Sequence, residues 1–174
     1  MDKLAKIALT IAKDIQDDVP KRGKPPAEGL EAESEQVIPF SYVSGTRNYI
    51  EKVVNQINGC YERGWFDGCS VMIRRLIETL IIEAFEHHGI DSKIKNPATG
   101  DFYSLDDLII KTLAEPSWNL GRVTKRVLPD LPNVGNLSAH NRRFNAHRHD
   151  IDDDIRNLRT VVQEFIGLAD LKRK

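Results

Sequence analysis

Residues 65–88 constrain the fold of this chain more than any other segment. Read as a helix, the segment carries apolar side chains on nearly every side rather than along one stripe. These residues are Val71, Met72, Ile73, Leu76, Ile77, Leu80, Ile81, Ile82 and Phe85. A helix that is apolar all round has to be covered, either by helices of its own chain or by a partner chain. The sequence therefore predicts a central helix, and Gly89 is the residue type that commonly ends one.

Apolar residues recur at helical spacing in several further segments. We predict helices over residues 44–64, 104–113 and 116–129, a short helix capped by Asp130, and a last helix over residues 150–171. Strand-like alternation of apolar and polar residues does not persist in any of them. The chain is therefore predicted to be all-α, a bundle of five or six helices with short connections.

The N-terminal part differs in composition from this bundle. Residues 1–18 have apolar positions at helical spacing and are predicted to form a docking helix. Residues 19–43 contain four of the eight prolines and four glutamates, which is typical of a linker or an extended strap. The bundle itself is expected to occupy residues 44–174.

Composition narrows the class of protein. The net charge of -1 excludes a globally basic nucleic-acid binder, so any such binding would need a local surface. No run of apolar residues is long enough to span a membrane. Two cysteines, Cys60 and Cys69, lack the spacing of metal ligands and fit a reduced compartment. We expect a cytoplasmic protein without a membrane segment, a metal or a cofactor.

The first candidate for a functional role lies inside the apolar segment. Arg74 and Arg75 both stand within helical reach of Glu78, at spacings of four and three residues. Charged groups in such a helix must either find partners or face water. One interpretation is a structural ion pair that fixes the position of the helix. The other is that Arg74 or Arg75 lines a polar pocket facing the histidine-rich segment described next.

Residues 135–149 hold three of the five histidines and several arginines. From residue 122 to residue 149 the chain has six basic residues and one acid, a local excess of five positive charges. The basic residues are Arg122, Lys125, Arg126, Arg142, Arg143 and Arg148. Such a segment can attract phosphates, and histidines can move protons near neutral pH. The alternative is a solvated linker that is neutralised by the four acids following it.

Two motifs in this region carry a family resemblance. Gly135-Asn136-x-x-Ala139-His140, followed by residues 141–146 and then Asp150-Ile151, resembles the domain-of-unknown-function family 4145 of the HEPN superfamily. The apolar helix with Arg74-Arg75-x-x-Glu78 is similar to the other marked segment of that family. The resemblance covers about residues 44–171. It implies an α-helical bundle that often pairs as a dimer and, in many members, cleaves RNA without a metal.

The resemblance implies specific roles within an Arg-x4-His motif. Arg142 would hold the scissile phosphate, and His147 would act on the ribose hydroxyl or the leaving oxygen. A second alignment places the signature histidine at His140. An arginine is then expected near position 132, where this chain has Pro132 and Asn133, which would make the protein a relative that does not cleave.

Three hypotheses follow for the function. The first is a HEPN-like binding or assembly domain, a homodimer or bound to a partner protein, that contacts RNA or a nucleotide in a phage-defence or toxin–antitoxin context. Its ligand contacts would be Asn136, His140, Arg142, Arg143 and Arg148, with Arg74, Arg75 and Glu78 supporting them from beneath. The second is a metal-independent ribonuclease that uses Arg142 and His147. The third is a purely structural interaction domain.

Overall fold

The computed structural model describes residues 37–172, which contain eight α-helices and one 3₁₀ turn. The helices are α1 (Phe40–Val43), α2 (Asn48–Glu62), α3 (Phe66–His87), α4 (Leu105–Ala114), α5 (Arg122–Val127), α6 (Asn133–His140), α7 (Arg148–Asp152) and α8 (Ile155–Leu168); the 3₁₀ turn is Asp91–Ile94. Over this range the β-structure is confined to one isolated bridge between Lys95 and Phe102. The all-α prediction is confirmed. None of the helices in residues 37–172 combines the length and hydropathy of a membrane crossing.

Helix α3 is the central helix that the sequence predicts. It starts after Trp65 and ends before Gly89, whose φ of +65° is the left-handed conformation that glycine adopts without strain. Helices α2, α6 and α8 pack along it, and α4 makes a smaller contact. Leu76, Leu80 and Ile81 are fully buried. Most of the apolar surface of α3 is therefore covered within residues 37–172, whereas Val71, Met72 and Ile82 are only partly buried.

The neighbours of α3 run in two directions. Helix α2 is antiparallel to α3, because Tyr49 at its start bonds to Glu83 near the end of α3. Gly64, whose φ is +72°, lies in the turn between the two helices. Helix α8 is parallel to α3, because Leu158 near its start lines one cavity with Ile73 in the first half of α3, and Leu168 at its end contacts His88. At one end the Asp67 carboxylate accepts a hydrogen bond from the amide of Ala146, and at the other a ring nitrogen of His88 lies 3.2 Å from the carbonyl oxygen of Leu168. We call these the Asp67 end and the His88 end; about 30 Å of helix separates them.

The ordered core begins before residue 44. Val37 and Ile38 are fully buried, and their amides both donate to the side-chain oxygen of Asn58. The side-chain amide of Asn58 in turn donates to the carbonyl oxygen of Ile38 at 2.8 Å. Residues 37–43, the last part of the predicted strap, are therefore built into the bundle. The predicted docking helix at residues 1–18 and the rest of the strap lie outside the described residues.

Three predicted helices differ from the observed ones. The helix expected over residues 116–129 is reduced to α5, because the Glu115 carboxylate accepts bonds from the amide and hydroxyl of Ser117 and favours a turn there. Pro132, not Asp130, stands at the N-cap of α6. The last helix is divided into α7 and α8, since the Asp154 amide bonds to the carbonyl of Ile151, three residues earlier, and tightens the chain.

Other helix boundaries follow the sequence closely. The hydroxyl of Ser104 accepts a hydrogen bond from the amide of Asp107, which confirms the predicted cap of α4. Helix α5 ends at Val127, two residues before Pro129, as expected for a residue that cannot continue a helix. Short helices account for the difference between the predicted five or six and the observed eight.

Candidate functional site

Helix α6 lies directly against the first turns of α3. A Cβ atom added at Gly135 would come within 2.5 Å of the Ser70 carbonyl oxygen and 2.9 Å of the Arg74 Cβ, so only glycine fits. One turn further along α6, the hydroxyl oxygens of Ser138 and Ser70 are 2.9 Å apart. The half of the histidine-rich segment up to His140 is thus a packed helix and not a solvated linker.

Arg74 joins the two helices, and Arg75 does not. Nε of Arg74 donates to the side-chain oxygen of Asn136 at 2.6 Å, and its Nη1 lies 3.4 Å from the carboxylate of Glu78. Arg74 is therefore an ion-pair partner within α3, as the first interpretation held, and it contacts α6 directly where the second interpretation expected a polar pocket. Arg75 is exposed, and its backbone carbonyl accepts the hydroxyl of Thr79.

The space beneath α6 is small. A cavity of about 20 Å³ is lined by Ser70, Ile73, Asp150 and Asp154, together with Leu131, Val134, Ile151 and Leu158. A cavity of that volume accommodates about one water molecule. A nucleotide does not fit there, so a ligand of that size would have to bind on the outer surface.

The outer surface at this end is formed by residues 141–147, which we call the basic loop. Its first residue, Asn141, bonds through its amide to the carbonyl of Leu137 in α6. Near its other end the buried residue Ala146 donates its amide to the Asp67 carboxylate at 3.0 Å. The amide of His147 donates to the carboxylate of Asp150 at 2.7 Å. The loop is therefore held at both ends by the helices around it.

The proposed catalytic and phosphate-binding residues lie on this surface. Arg142, Arg143 and His140 are all exposed, and the side chain of His147 is 69% exposed. Within residues 37–172, the side chains of Arg142 and Arg143 form no ion pair. No hydrogen bond joins Arg142 to His147. Residues 37–172 thus leave these groups open to solvent and do not enclose them in a cleft.

The three histidines of the segment are not equivalent. The rings of His147 and His149 stack with their centroids 5.6 Å apart, and both approach the carboxylate of Asp150, at 3.8 and 3.4 Å. His140 is instead the last residue of α6. The imidazole pair next to one carboxylate is the closest grouping of proton-transfer side chains on this surface.

Arg148 has a different environment from the other arginines. Its Nη1 donates to the hydroxyl of Tyr61 at 2.8 Å, and its guanidinium carbon lies 4.6 Å and 5.4 Å from the ring centroids of Tyr61 and Phe66. The Tyr61 hydroxyl donates to Asp152. Burial, and then this bond to Asp152, raise the pKa of Tyr61. Arg148 therefore fastens α7 to the α2–α3 hairpin.

The fold divides the basic residues that are clustered along the sequence. Arg122, Lys125 and Arg126 belong to α5, which is attached to α8 where the Gly121 amide and the Thr124 hydroxyl both donate to Glu164. Glu164 lies nine residues along α8 from its start, a distance of about 14 Å. The arginines at positions 142, 143 and 148 instead lie at the Asp67 end. The local excess of positive charge is thus split between two regions.

Sequence reasoning missed one exposed residue at this end. Trp65 is 62% exposed, whereas Trp118 is only 7% exposed and packs on Phe85 with ring centroids 4.5 Å apart. The guanidinium carbon of Arg63 lies 5.9 Å from the centre of the Trp65 ring. Trp65 follows Gly64 in the turn between two helices. This position, outside the apolar stripes of both helices, was the one sign in the sequence that Trp65 is exposed.

No family model, curated protein or solved structure matches this chain. The class of protein is therefore defined by the fold itself, an α-helical bundle that presents a basic loop at one end. Among residues 37–172, no three side chains of the metal-ligating types come together in a way that could hold an ion.

Proposed function

We propose that this protein is a cytoplasmic, HEPN-like helical bundle that binds RNA on the surface of the basic loop. The single observation that carries this proposal is the exposure of Arg142 and Arg143, without ion pairs among the described residues, on a loop held at both ends. The proposed relation to the HEPN superfamily is supported by the contact between Arg74 and Asn136, which joins the two segments that carry the resemblance. A role in phage defence or in a toxin–antitoxin pair belongs to the same proposal.

Exposed, uncompensated guanidinium groups favour phosphate over other ligands. A guanidinium presents a planar fork of donors that matches two phosphate oxygens. Because the loop is already held by Asp67 and α6, little conformational freedom is lost when a phosphate binds. RNA is favoured over a free nucleotide because two adjacent arginines can contact successive phosphates, whereas the cavity beneath α6 is too small to enclose a nucleotide.

A salt titration with matched variants tests the binding proposal. A labelled single-stranded RNA is titrated with wild-type protein, with Arg142→Ala plus Arg143→Ala, and with Arg122→Ala plus Arg126→Ala on α5. Each phosphate contact on a single strand contributes about 0.7 to the slope of log affinity against log salt, so loss of two contacts lowers the slope by about 1.4. The α5 variant removes the same charge and should leave the slope unchanged. Equal effects of the two variants, or no binding, would contradict the proposal.

Ribonuclease activity is the second candidate, favoured by the exposure of His147 beside His149 and Asp150 at one end of the loop. In such a reaction a histidine removes the proton of the ribose 2′-hydroxyl, whose oxygen attacks phosphorus while the 5′-oxygen leaves with a proton from a second acid. Arg142 would stabilise the charge that develops on the phosphate.

The cleavage test needs a variant that spares the fold. His147 stands at the N-cap of α7, where asparagine is favoured, so His147→Asn removes the imidazole and keeps a capping side chain. Cleavage of single-stranded RNA in a chelator by the wild type, lost in His147→Asn but kept in His140→Ala, supports this reading. The reverse pattern supports the alignment on His140. Intact RNA at micromolar protein excludes the enzyme.

Dimerisation, or binding to a partner protein, stays a prediction of the family resemblance. Its other argument is the all-round apolar surface of α3, most of which α2, α6 and α8 cover, while Val71, Met72 and Ile82 stay partly exposed. Light scattering at high micromolar protein tests it, and a purely structural interaction domain would assemble without binding RNA.

A further inference from the structure

Trp65 is an aromatic side chain that the fold leaves open to solvent although its backbone is fixed. Its amide donates to the carbonyl of Cys60 at 2.8 Å, and its carbonyl accepts from the amide of Cys69 at 2.9 Å. Arg63 approaches its ring at 5.9 Å, a cation–π contact that favours one orientation of the indole. A side chain that buries a large area in most folds is here 62% exposed on a rigid turn.

Trp65 lies at the same end of the molecule as the basic loop. Asp67, two residues further along the chain, holds the amide of Ala146, and the ring of the neighbouring Phe66 lies under the guanidinium of Arg148. The turn between α2 and α3 and the loop that carries Arg142 and Arg143 are therefore adjoining parts of one surface. This surface combines positive charge with a flat, exposed indole.

We propose that Trp65 is a stacking platform for an unpaired base of an RNA strand whose phosphates the basic loop contacts. This inference rests on the proposed function and adds a substrate class to it, single-stranded in preference to duplex RNA. The faces of bases in a duplex are covered by their neighbours, whereas a single strand can turn a base out onto an aromatic ring. Because every base has such a face, this contact selects unpaired RNA without selecting a sequence.

The experiment compares Trp65→Ala and Trp65→Phe on a single-stranded RNA and on a duplex of equal length. Loss of a stacking ring weakens single-strand affinity by about fivefold to 160-fold, and phenylalanine restores most of the loss. Duplex affinity should stay unchanged in both variants. Tyr49→Ala is the matched control, since Tyr49 is 47% exposed on the same hairpin and bonds to Glu83 toward the His88 end. It should change neither affinity.

Tryptophan fluorescence supplies a second readout. Single-stranded RNA should quench the exposed Trp65, and the quenching should disappear in Trp65→Phe, where only the buried Trp118 remains. Far-UV circular dichroism confirms that each variant is folded.

The outcomes separate this inference from the proposed function. Wild-type binding that Trp65→Ala does not weaken, or weakens equally for both RNAs, overturns the stacking role and leaves RNA binding by the loop in place. Absence of any RNA binding overturns both. A Trp65→Ala variant that turns a dimer into a monomer with unaltered RNA affinity overturns the stacking role in favour of a protein interface.

Discussion

Gly135→Ala is the change that most directly tests the contact between α6 and α3. The added methyl group would lie 2.5 Å from the Ser70 carbonyl oxygen and 2.9 Å from the Arg74 Cβ, where ordinary contacts start at 3.4 Å. Ser70 contributes a backbone atom of the central helix, so it cannot rotate away. Helix α6 would have to move outward by roughly 0.9 Å, because the packed atoms of α3 cannot yield.

Three effects determine how Gly135→Ala changes the free energy of unfolding. Overpacking of this kind costs about 1–3 kcal/mol. The movement also weakens the charged hydrogen bond from Arg74 to Asn136, a kind of bond that contributes about 1.5–3 kcal/mol. Alanine returns about 1 kcal/mol through its higher helix propensity. We expect Gly135→Ala to lower the free energy of unfolding by about 2–4 kcal/mol.

Urea denaturation followed by circular dichroism measures this difference. Gly167→Ala is the matched control, because Gly167 also lies in a helix and a Cβ there meets nothing within 4 Å. The control should be more stable than the wild type by up to about 1 kcal/mol. If both alanine variants were equally stabilised, the close approach of α6 to α3 would be refuted.

Three further outcomes follow from single contacts. Ser104→Ala removes the cap of α4 and should lower the free energy of unfolding by about 1 kcal/mol in the same assay, and an unchanged midpoint would contradict the cap. The hydrogen bond from Lys93, then those from Ser117, lower the pKa of Glu115 below its ordinary 4.5. Its contribution to stability is thus present above that value and is lost as pH falls through the lowered pKa, so Glu115→Gln should flatten this acid dependence of the melting temperature. Burial raises the pKa of Cys69 to about 12, so in a Cys60→Ser variant a disulfide reagent at pH 8 should label this thiol only after unfolding, and labelling of that native variant would contradict the burial of Cys69.

The parts of the fold that follow from local chemistry could be predicted from the sequence. The all-round apolar pattern identified α3, and the end of that helix follows from the left-handed preference of Gly89. The cap at Ser104 and the stop before Pro129 are likewise local. The break between α7 and α8 was missed, because apolar spacing continues across it, whereas the tightened turn lies in the backbone bond from Asp154 to Ile151.

The candidate site was harder to predict, because it depends on which distant residues the fold brings together. The ion pair of Arg74 with Glu78 was one of two interpretations, since a charge in an apolar helix needs a partner, whereas the direct bond of Arg74 to Asn136 in place of a pocket was not foreseen. The separation of α5 from the basic loop was not foreseen, because a count along the chain cannot register that Thr124 packs beside Glu164. The exposure of Trp65 was also missed, because residue type alone favours burial for tryptophan.

The parallel course of α3 and α8 has a consequence for how the protein is made. The bonds found near either end of the two helices, between Asp67 and Ala146 and between His88 and Leu168, connect residues 79 and 80 positions apart in the chain. A ribosome adds about 5–20 residues each second. The apolar side of α3 that α8 covers therefore stays exposed for about 4–16 s after α3 has been synthesised. The nascent chain in that interval is a natural client for a chaperone, and production yield should respond to chaperone supply more strongly than the stability of the finished molecule suggests.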